Sequence, residues 1–287
     1  MLIKLFHSFT FSLSIMQTNA QKPLIIAHRG ASALAPENTF AAFSRAIDDK
    51  ADGIEFDVRL AKDNVPVVFH DSTLNRLGKI DGRVSAFTSE ELQKIDVGSW
   101  FNDKNSRYFD DKFSAETVPT LAKLFNFLVD YKGLIYVELK GKEAEIPPLA
   151  EAVCNLINRT NLLPQIIVKS FKLEGLAIVK QILPEIRTAA LFSPKILTIL
   201  GKKKRILKRA QACNADEISI HYSLATEKFV RRAEKKGFLV TIWTADNPVW
   251  VRRAFKLGIN AIITNNPSRL LIKRDEILRK IRVPAET

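Results

Sequence analysis

Two histidines stand where apolar runs end, a position from which an imidazole can take part in catalysis. His28 follows residues 24–27 and His70 follows residues 65–69, in a chain that has four histidines. A buried strand that ends in histidine presents the ring at its tip, and histidine exchanges a proton near neutral pH. Two such rings can serve as the acid and the base that cleave one bond. His221 also ends an apolar run, but it lacks acidic or glycine-rich neighbours and is interpreted as structural.

Carboxylates lie between and beyond the two histidines. Glu55 and Asp57 are two residues apart on a predicted strand, so their side chains leave the same face. Glu138 and Lys140 repeat this spacing at the end of another predicted strand. Like charges side by side are costly unless a cation or a basic group lies between them, and Mg²⁺ and Ca²⁺ prefer oxygen ligands. A surface salt bridge is the alternative for either pair alone. Together with the histidines, the pairs favour metal-assisted cleavage of a phosphate ester.

Short β-branched runs alternate with helix-length amphipathic segments from residue 24 onward. The predicted strands are residues 24–28, 53–58, 65–70, 134–139, 165–170, 187–192, 217–221, 238–243 and 260–264. The predicted helices include residues 39–50, 121–131, 149–160, 173–183, 226–236 and 248–257. This alternation predicts the α/β class with a parallel sheet covered by helices, and eight repeats predict a TIM-type (β/α)8 barrel.

Nine predicted strands are one more than such a barrel needs. The connection from residue 58 to residue 65 is too short for a parallel crossover. Residues 53–58 and 65–70 are therefore predicted to form an antiparallel hairpin, or one of them lies outside the barrel. Residues of about 71–118 lack sustained periodicity and are predicted to be a small insertion over the barrel mouth, after the second histidine, with a short helix at 89–95.

The chain divides into three predicted parts. Residues 24–270 form the barrel, and residues 271–287 form a C-terminal helix or tail. Residues 1–23 are a leader or a disordered N-terminus: either a secretory signal with polar interruptions, or a lead-in to a true start at Met16. A cytoplasmic location is expected, and a secreted or periplasmic one is the alternative if residues 1–20 are a signal peptide.

Composition limits the class of partner without naming it. The formal net charge of +13 favours anionic partners such as phosphate-bearing substrates, membrane surfaces or nucleic acid. Cys154 and Cys213 form no metal motif, and two buried free thiols are expected rather than a disulfide. No apolar run approaches the roughly 20 residues of a membrane span.

The strongest basic run, residues 201–209, has two interpretations. One is a solvated helix face, and the other is weak contact with anionic membrane lipid. Nucleic acid is not an expected partner, because aromatic residues are not interleaved with the basic ones and no known nucleic-acid module is present. The oligomeric state is not predicted.

A long ordered set of motifs resembles the glycerophosphodiester phosphodiesterase family. It opens with His28-Arg29-Gly30 and, five residues later, Pro36-Glu37-Asn38-Thr39 with Ala42-Phe43. It continues through these motifs: Glu55-Phe56-Asp57-Val58, His70-Asp71, Leu74 with Arg76, Gly82, Thr88 with Glu91-Leu92, Gly98-Ser99-Trp100-Phe101, Pro119-Thr120-Leu121, Glu138-Leu139-Lys140, Ser170-Phe171 and Trp243-Thr244. The resemblance spans roughly residues 24 to 267.

The resemblance implies a fold, a reaction and a set of roles. The fold would be a TIM-type barrel with an insertion after the second histidine. The reaction would be hydrolysis of small-molecule glycerophosphodiesters to sn-glycerol 3-phosphate and an alcohol. The implied roles are acid and base for His28 and His70, ligands of one Mg²⁺ or Ca²⁺ ion for Glu55, Asp57 and Glu138, phosphate contacts for Arg29 and Lys140, and a wall of the substrate pocket for Trp243.

One departure and two alternatives accompany this interpretation. After Trp243-Thr244 the chain has Ala245-Asp246-Asn247, where the family more often has a hydrophobic residue and Asn, so fine substrate preference is in doubt. A related barrel phospholipase of the C or D type would use the same catalytic set on lipid headgroups, but the insertion follows the glycerophosphodiesterase pattern. A catalytically silent binding protein would have lost a site residue, and none is lost.

Overall fold

The computed structural model describes residues 22–195 and 204–282. Strands in these residues belong to a single sheet. They are β1 (Leu24–His28), β2 (Gly53–Leu60), β3 (Pro66–Val68), β4 (Leu134–Leu139), β5 (Ile166–Ser170), β6 (Arg187–Phe192), β7 (Glu217–His221), β8 (Leu239–Trp243) and β9 (Ala261–Thr264).

Eight of the strands close into a parallel barrel. β1 pairs in parallel with both β9 and β2, which joins the two ends of the series β9-β8-β7-β6-β5-β4-β2. β3 pairs antiparallel with β2, with Val58 opposite Val68, and lies outside the parallel set. The predicted barrel and the predicted hairpin are therefore both confirmed.

Helices follow most of the strands. They are α1 (Phe40–Asp48), α2 (Asn75–Gly78), α3 (Ser89–Leu92), α4 (Ser99–Lys104), α5 (Leu121–Phe127), α6 (Ile146–Ile157), α7 (Leu173–Ile182), α8 (Lys204–Ala212), α9 (Glu227–Glu234), α10 (Val249–Leu257) and α11 (Pro267–Arg282). Capping threonines set several starts: the side chains of Thr39, Thr120 and Thr226 accept hydrogen bonds from the first turns of α1, α5 and α9. None of the described helices is long and apolar enough to cross a membrane.

Alternation along each strand separates two apolar layers. Ile25 and Ala27 of β1 face the helices and belong to the large core between barrel and helices. Ile26 of β1 instead packs inside the barrel with Tyr136, Ile167 and Ile263 from other strands. With both layers filled, the barrel is a packed support for side chains at its carboxyl end, where parallel strands place their functional residues.

The insertion has an apolar core of its own. Phe69, Leu74, Leu92 and Val118 are buried in a cluster separate from the main core. Short helices α2 to α4 and isolated bridges such as Thr73 to Arg83 hold this region together in place of regular strands. This local core explains how a segment without sequence periodicity keeps a defined position beside β2 and β3.

The structure describes most of the C-terminal segment and little of the N-terminal one. α11 begins at Pro267, inside the stretch predicted to be barrel, and continues as far as Arg282 through the segment predicted to be a C-terminal helix or tail. Its buried Arg274 is ion-paired with Asp52 and donates a hydrogen bond to the carbonyl of Pro23. These contacts fix the helix against the start of β1. The predicted leader lies outside the described residues up to residue 21.

Candidate active site

The turn after β1 brings Arg29 over the barrel mouth. Arg29 and Gly30 both have positive φ angles, 55° and 78°. A Cβ atom at Gly30 would lie 2.6 Å from the backbone carbon of Ala42, so only glycine allows this approach of the turn to α1. The turn aims the backbone N–H of Arg29 at Glu55, whose Oε2 atom accepts it at 3.2 Å. The sequence Arg-Gly thus places a guanidinium beside the carboxylates of β2.

Three carboxylates meet at the carboxyl end of the barrel. Glu55 and Asp57 of β2 are 0% exposed, and Glu138 of β4 is 4% exposed. Residues 57 and 138 are direct neighbours in the β2–β4 register. One oxygen from each of the three groups lies within 4.8 Å of the others. The cluster predicted from two separate sequence pairs is therefore brought together by the barrel.

Three cationic side chains surround these carboxylates. Lys169 Nζ lies 2.8 Å from Glu55 Oε1 and 3.3 Å from Glu138 Oε2. Lys140 Nζ lies 2.5 Å from Glu138 Oε1 and 3.3 Å from Asp57 Oδ1. Arg29 Nε lies 3.1 Å from Asp57 Oδ2. Because three positive groups face three negative ones, the buried charges are compensated.

These charges hold the site in its ionised form. Burial opposes ionisation of Asp57, yet the Lys140 and Arg29 charges hold its pKa well below the usual value. Burial likewise opposes the charge on Glu55, but Lys169 lowers the pKa of Glu55. Burial would lower the pKa of Lys169, and the facing carboxylates raise it instead. The groups are therefore anionic carboxylates and cationic ammonium groups at neutral pH.

The donor set fits a hard divalent cation. The buried oxygens Asp57 Oδ1 and Glu138 Oε1 face the Lys140 ammonium, at 3.3 and 2.5 Å, and have no hydrogen bond to any other group in the described part of the chain. Buried carboxylate oxygens without hydrogen bonds are costly unless they face a positive charge. Carboxylate oxygens are the ligands that Mg²⁺ and Ca²⁺ take, so the three carboxylates can hold such an ion.

His70 follows β3 and is held from one side by an ion-pair network. Its Nδ1 atom lies 2.6 Å from Asp71 Oδ1, and Arg76 Nε lies 2.5 Å from Asp71 Oδ2. Arg76 also forms two hydrogen bonds to Glu37, which bonds Arg29 at 2.7 Å. Burial lowers the pKa of His70, and the charges of Arg29 and Lys140 act in the same direction. The ring is therefore oriented by the Asp71 carboxylate on Nδ1.

His28, at the end of β1, is held by an amide. Its Nδ1 atom lies 2.7 Å from Asn265 Oδ1, and its Nε2 atom lies 3.9 Å from Glu55 Oε2. Asp57 interacts electrostatically with both histidines. The two rings predicted as an acid–base pair thus border the same carboxylate cluster.

Trp243 and its neighbours form an aromatic surface at the same mouth. The Trp243 ring is nearly perpendicular to Phe171 and to His221, with ring centres 5.4 and 5.5 Å away. Lys140 Nζ lies 5.7 Å from the centre of the Phe171 ring. The indole N–H of Trp243 is buried and has no hydrogen-bond partner among the described residues. A ligand that reaches Lys140 would therefore meet the Phe171 ring, which packs against Trp243.

Several neighbours of the site were not singled out for it from the sequence. Lys169 interrupts the apolar run of β5, and a lone lysine inside a buried strand is a signal for a partnered charge. Asn265 directly follows β9, as His28 follows β1's apolar run, but an asparagine at a strand end is too common to stand out. His221 lies at the mouth beside Trp243, and its Nδ1 atom is 2.8 Å from Ser223 Oγ.

Comparison with known proteins agrees with this geometry. Residues 28–269 match the profile of the glycerophosphoryl diester phosphodiesterase family. The chain belongs to this family. A glycerophosphodiester phosphodiesterase of Caldanaerobacter subterraneus is 33% identical over 252 residues, covering 87% of this chain and 97% of the relative.

Solved structures of the glycerophosphoryl diester phosphodiesterase family share the barrel. A phosphodiesterase of Oleispira antarctica in complex with the product sn-glycerol 3-phosphate superimposes with a TM-score of 0.77 at 26% identity, over 88% of this chain and 97% of that one. A glycerophosphodiester phosphodiesterase of Agrobacterium tumefaciens gives a TM-score of 0.70 at 28% identity, over 87% and 99%. The family resemblance read from the motifs is confirmed, and with it the assignment to the phosphoric diester hydrolases.

Proposed function

We propose that this barrel hydrolyses glycerophosphodiesters to sn-glycerol 3-phosphate and an alcohol, with one divalent cation, Mg²⁺ or Ca²⁺, at its carboxylates. The observation that carries the proposal is the buried group of Glu55, Asp57 and Glu138 beside two oriented histidines. The family membership supports the reaction, and the relatives named above carry the same activity in their names. The product bound to the Oleispira antarctica enzyme supports a small-molecule substrate.

The chain offers cationic groups for the phosphate. Lys140 and Arg29 are each about one-sixth exposed, at 17% and 16% of their side chains, so they can reach a ligand while remaining ion-paired. Arg29 presents a planar guanidinium, and Lys140 presents a point charge. We assign them to the phosphate oxygens, where they would offset the charge that grows in the transition state. Lys169, 2% exposed, is assigned to holding Glu55 and Glu138 in place.

The metal would supply Lewis-acid stabilisation of the phosphate oxygens when bound at Glu55, Asp57 and Glu138. His28 and His70 would move the protons, each through Nε2, because Nδ1 of each ring is already engaged. The ring that acts as base is neutral and takes the proton of the attacking oxygen on its Nε2 lone pair. The ring that acts as acid enters the step as the imidazolium, with a proton on both nitrogens, and gives its Nε2 proton to the leaving alkoxide. The attacking oxygen belongs to water or to the neighbouring glycerol hydroxyl of the substrate, which would give a cyclic phosphate first.

Trp243 is assigned to the wall that contacts the organic part of the substrate. Its ring and that of Phe171 meet edge to face beside Lys140. A substituent of the phosphate bound at Lys140 would lie against these rings. A panel of diesters measures which alcohol headgroup the enzyme prefers.

A diester panel tests the proposal. Glycerophosphocholine, glycerophosphoethanolamine and glycerophosphoglycerol would be incubated with the protein, and release of glycerol 3-phosphate would be followed with chelator and with Mg²⁺ or Ca²⁺ restored. We expect activity that chelation removes and a divalent ion restores. Phosphorus NMR of the same reactions would reveal a cyclic phosphate. Full activity in excess chelator, with no metal found by elemental analysis, would refute the metal dependence.

A matched pair of variants separates metal binding from folding. Glu138→Gln keeps the size of the side chain and removes one anionic ligand, so calorimetric titration should show weaker binding of the divalent ion. Glu143→Gln, in the exposed pair with Lys172, is the control and should bind the ion normally. Both variants should keep the wild-type circular dichroism spectrum, because Glu138 lies at the barrel mouth and not in the packed interior.

The cellular location stays a prediction. We propose a cytoplasmic location, with export as the alternative if residues 1–20 are removed as a signal peptide. Cys154 and Cys213 are both buried free thiols, and free thiols agree with a reducing compartment. N-terminal sequencing of the mature protein from its own cells, together with fractionation, decides between the two.

A further inference from the structure

A chain of polar contacts runs from His28 outward through Asn265 to Asp246. Asn265 Oδ1 lies 2.7 Å from His28 Nδ1 and accepts a hydrogen bond from Ser32 Oγ at 3.0 Å. The other side of the amide, Asn265 Nδ2, donates to Asp246 Oδ2 at 2.8 Å. Asp246 Oδ1 accepts from the backbone N–H of Asn265 at 2.8 Å and from Thr264 Oγ1 at 2.8 Å. Asp246 thus accepts hydrogen bonds from both the backbone and the side chain of Asn265.

The carboxylate of Asp246 decides which way the Asn265 amide points. An ionised carboxylate only accepts hydrogen bonds, so the amide atom that faces it must be the NH₂ group. The carbonyl oxygen of the amide then faces His28, and a carbonyl oxygen also only accepts. His28 must therefore carry its proton on Nδ1, which leaves the lone pair of the neutral ring on Nε2. Nε2 is the nitrogen that faces the carboxylate cluster, 3.9 Å from Glu55.

We propose that Asn265 and Asp246 are positioning residues for the reaction, which hold His28 as the Nδ1–H tautomer with Nε2 turned toward the substrate. This inference rests on the proposed function and names residues to which the sequence motifs assigned no role. Asp246 falls in the segment Ala245-Asp246-Asn247, where the chain departs from the usual family motif. This difference from the family motif would therefore affect the orientation of the His28 ring as well as the substrate pocket.

A neutral amide differs from a carboxylate as the partner of a histidine. Asp71 places a negative charge directly on His70. Asn265 places only a dipole on His28, and the nearest carboxylate on that side, Asp246, lies one hydrogen bond further away. His28 is thereby oriented without a carboxylate in contact with Nδ1. If the ring were free to turn, Nε2 would leave the position from which it reaches the substrate, and a misplacement of 1 Å can cost on the order of 10²-fold in rate.

Nitrogen NMR tests the tautomer without any turnover. The chain has four histidines, so its ¹⁵N-imidazole spectrum is simple, and the signal of His28 is assigned by its loss in His28→Ala. We expect wild-type His28 in its neutral form to carry the proton on Nδ1. In Asn265→Leu, which has no acceptor, we expect the Nε2–H tautomer or an average of the two. A wild-type ring protonated on Nε2, or one unaffected by Asn265→Leu, would overturn the proposal.

Kinetics test whether the orientation matters. Asn265→Leu should lose about 10²-fold in kcat with little change in KM, because Asn265 orients the ring and does not bind phosphate. Asn266→Ala is the matched control. The Asn266 side chain accepts a hydrogen bond from the backbone N–H of Arg269 at the start of α11, and the amide that bonds His28 is that of Asn265, so kcat of this variant should be unchanged. Equal losses of kcat in the two variants would show that Asn265 has only a structural role.

An exchange of the two side chains provides a rescue. Asn265→Asp alone places two carboxylates together and should lose activity through their repulsion. Asn265→Asp with Asp246→Asn restores a donor facing an acceptor and keeps an acceptor on His28 Nδ1, so kcat should recover toward the wild-type value. A double variant no better than the single one would refute the relay. If wild-type protein cleaves no glycerophosphodiester, the proposed function fails, and the NMR result still decides the tautomer.

Discussion

Asp71 lies directly beside His70, with Oδ1 2.6 Å from Nδ1, and its second oxygen is held by Arg76. The insertion therefore helps to build the site, since Arg76 is in α2 and reaches back to the residue after His70. Arg76 also donates a hydrogen bond to Glu37. Glu37 accepts a second one from Arg29, which is ion-paired with Asp57. A single line of ion pairs thus runs from one histidine to the carboxylate that borders both.

This line of ion pairs predicts a loss of stability in acid. Burial opposes the charge on Glu37, but Arg76 and Arg29 lower its pKa, and Arg76 and His70 likewise lower that of Asp71. A carboxyl group with a depressed folded pKa contributes stability above its unfolded pKa, near 4, and loses it as pH falls through the folded value. Stability should therefore drop progressively below about pH 4.

Replacing Arg76 should remove part of that acid dependence. Arg76→Met should destabilise the protein at pH 7 by about 1 kcal/mol, since Arg76 is 40% exposed and its pairs are partly screened. Its unfolding curve should then change less between pH 5 and 3 than that of the wild type. Lys79→Met, which breaks the exposed pair with Asp103, is the control and should follow the wild-type dependence. Parallel curves for Arg76→Met and wild type would contradict the prediction.

Lys169 makes a second prediction, one that links folding to the metal. Lys169→Met leaves Glu55 and Glu138 buried without their shared ammonium partner, and breaking a buried pair costs about 3–5 kcal/mol. The melting temperature in chelator should fall accordingly. Because the carboxylates then carry an uncompensated negative charge, added Mg²⁺ or Ca²⁺ should raise the melting temperature more than in the wild type.

The matched control is Lys172→Met, three residues after Lys169, which removes an exposed ion pair with Glu143. Its free energy of unfolding should lie within about 1 kcal/mol of the wild-type value, because exposed ion pairs contribute little to stability. Differential scanning calorimetry at several ion concentrations measures all three proteins. A smaller metal-induced shift in Lys169→Met than in the wild type would show that Lys169 supports the ion instead of competing with it.

Much of the fold could be predicted from the sequence because the barrel is made of repeated local signals. Strands β1, β4, β6 and β7 have the bounds predicted for them, and the short connection before residue 65 was enough to exclude a parallel crossover there. The insertion was recognised only by its lack of periodicity. Its separate apolar core depends on contacts between short, irregular segments, which periodicity does not describe.

The candidate site also contains residues that the sequence indicated and residues that it did not. Histidines and carboxylates were found because their types and spacing are chemically unusual at strand ends. Their partners were not: Asn265 is 237 residues from His28, and Lys169 is 114 residues from Glu55. Closure of the barrel brings these pairs together, and nothing local to either residue indicates its partner.

The basic run leads to a prediction about membranes. Within its described part, α8 buries Ile206 and Leu207 and exposes Lys208 and Arg209, while residues 201–203 lie outside the described residues. A helix with this pattern packs on the barrel and presents charge to solvent, so only weak electrostatic contact with anionic lipid is expected. Sedimentation with acidic vesicles should show binding at low salt that disappears near 0.15 M and in a Lys208→Gln, Arg209→Gln variant. Binding that persists in high salt, or equal binding to neutral vesicles, would contradict this.

The two histidines give the last prediction, which assigns their roles. Replacing either His28 or His70 by alanine should reduce kcat by about 10²–10⁴-fold, as each transfers a proton in the transition state. The losses should differ with the leaving group. A diester that releases nitrophenolate needs little protonation, so the variant without the general acid should recover much of its rate on that substrate. The variant without the base should not recover, because the attacking oxygen must still lose its proton. Equal losses by both variants on both substrates would mean that the rings hold phosphate or metal and do not divide acid from base.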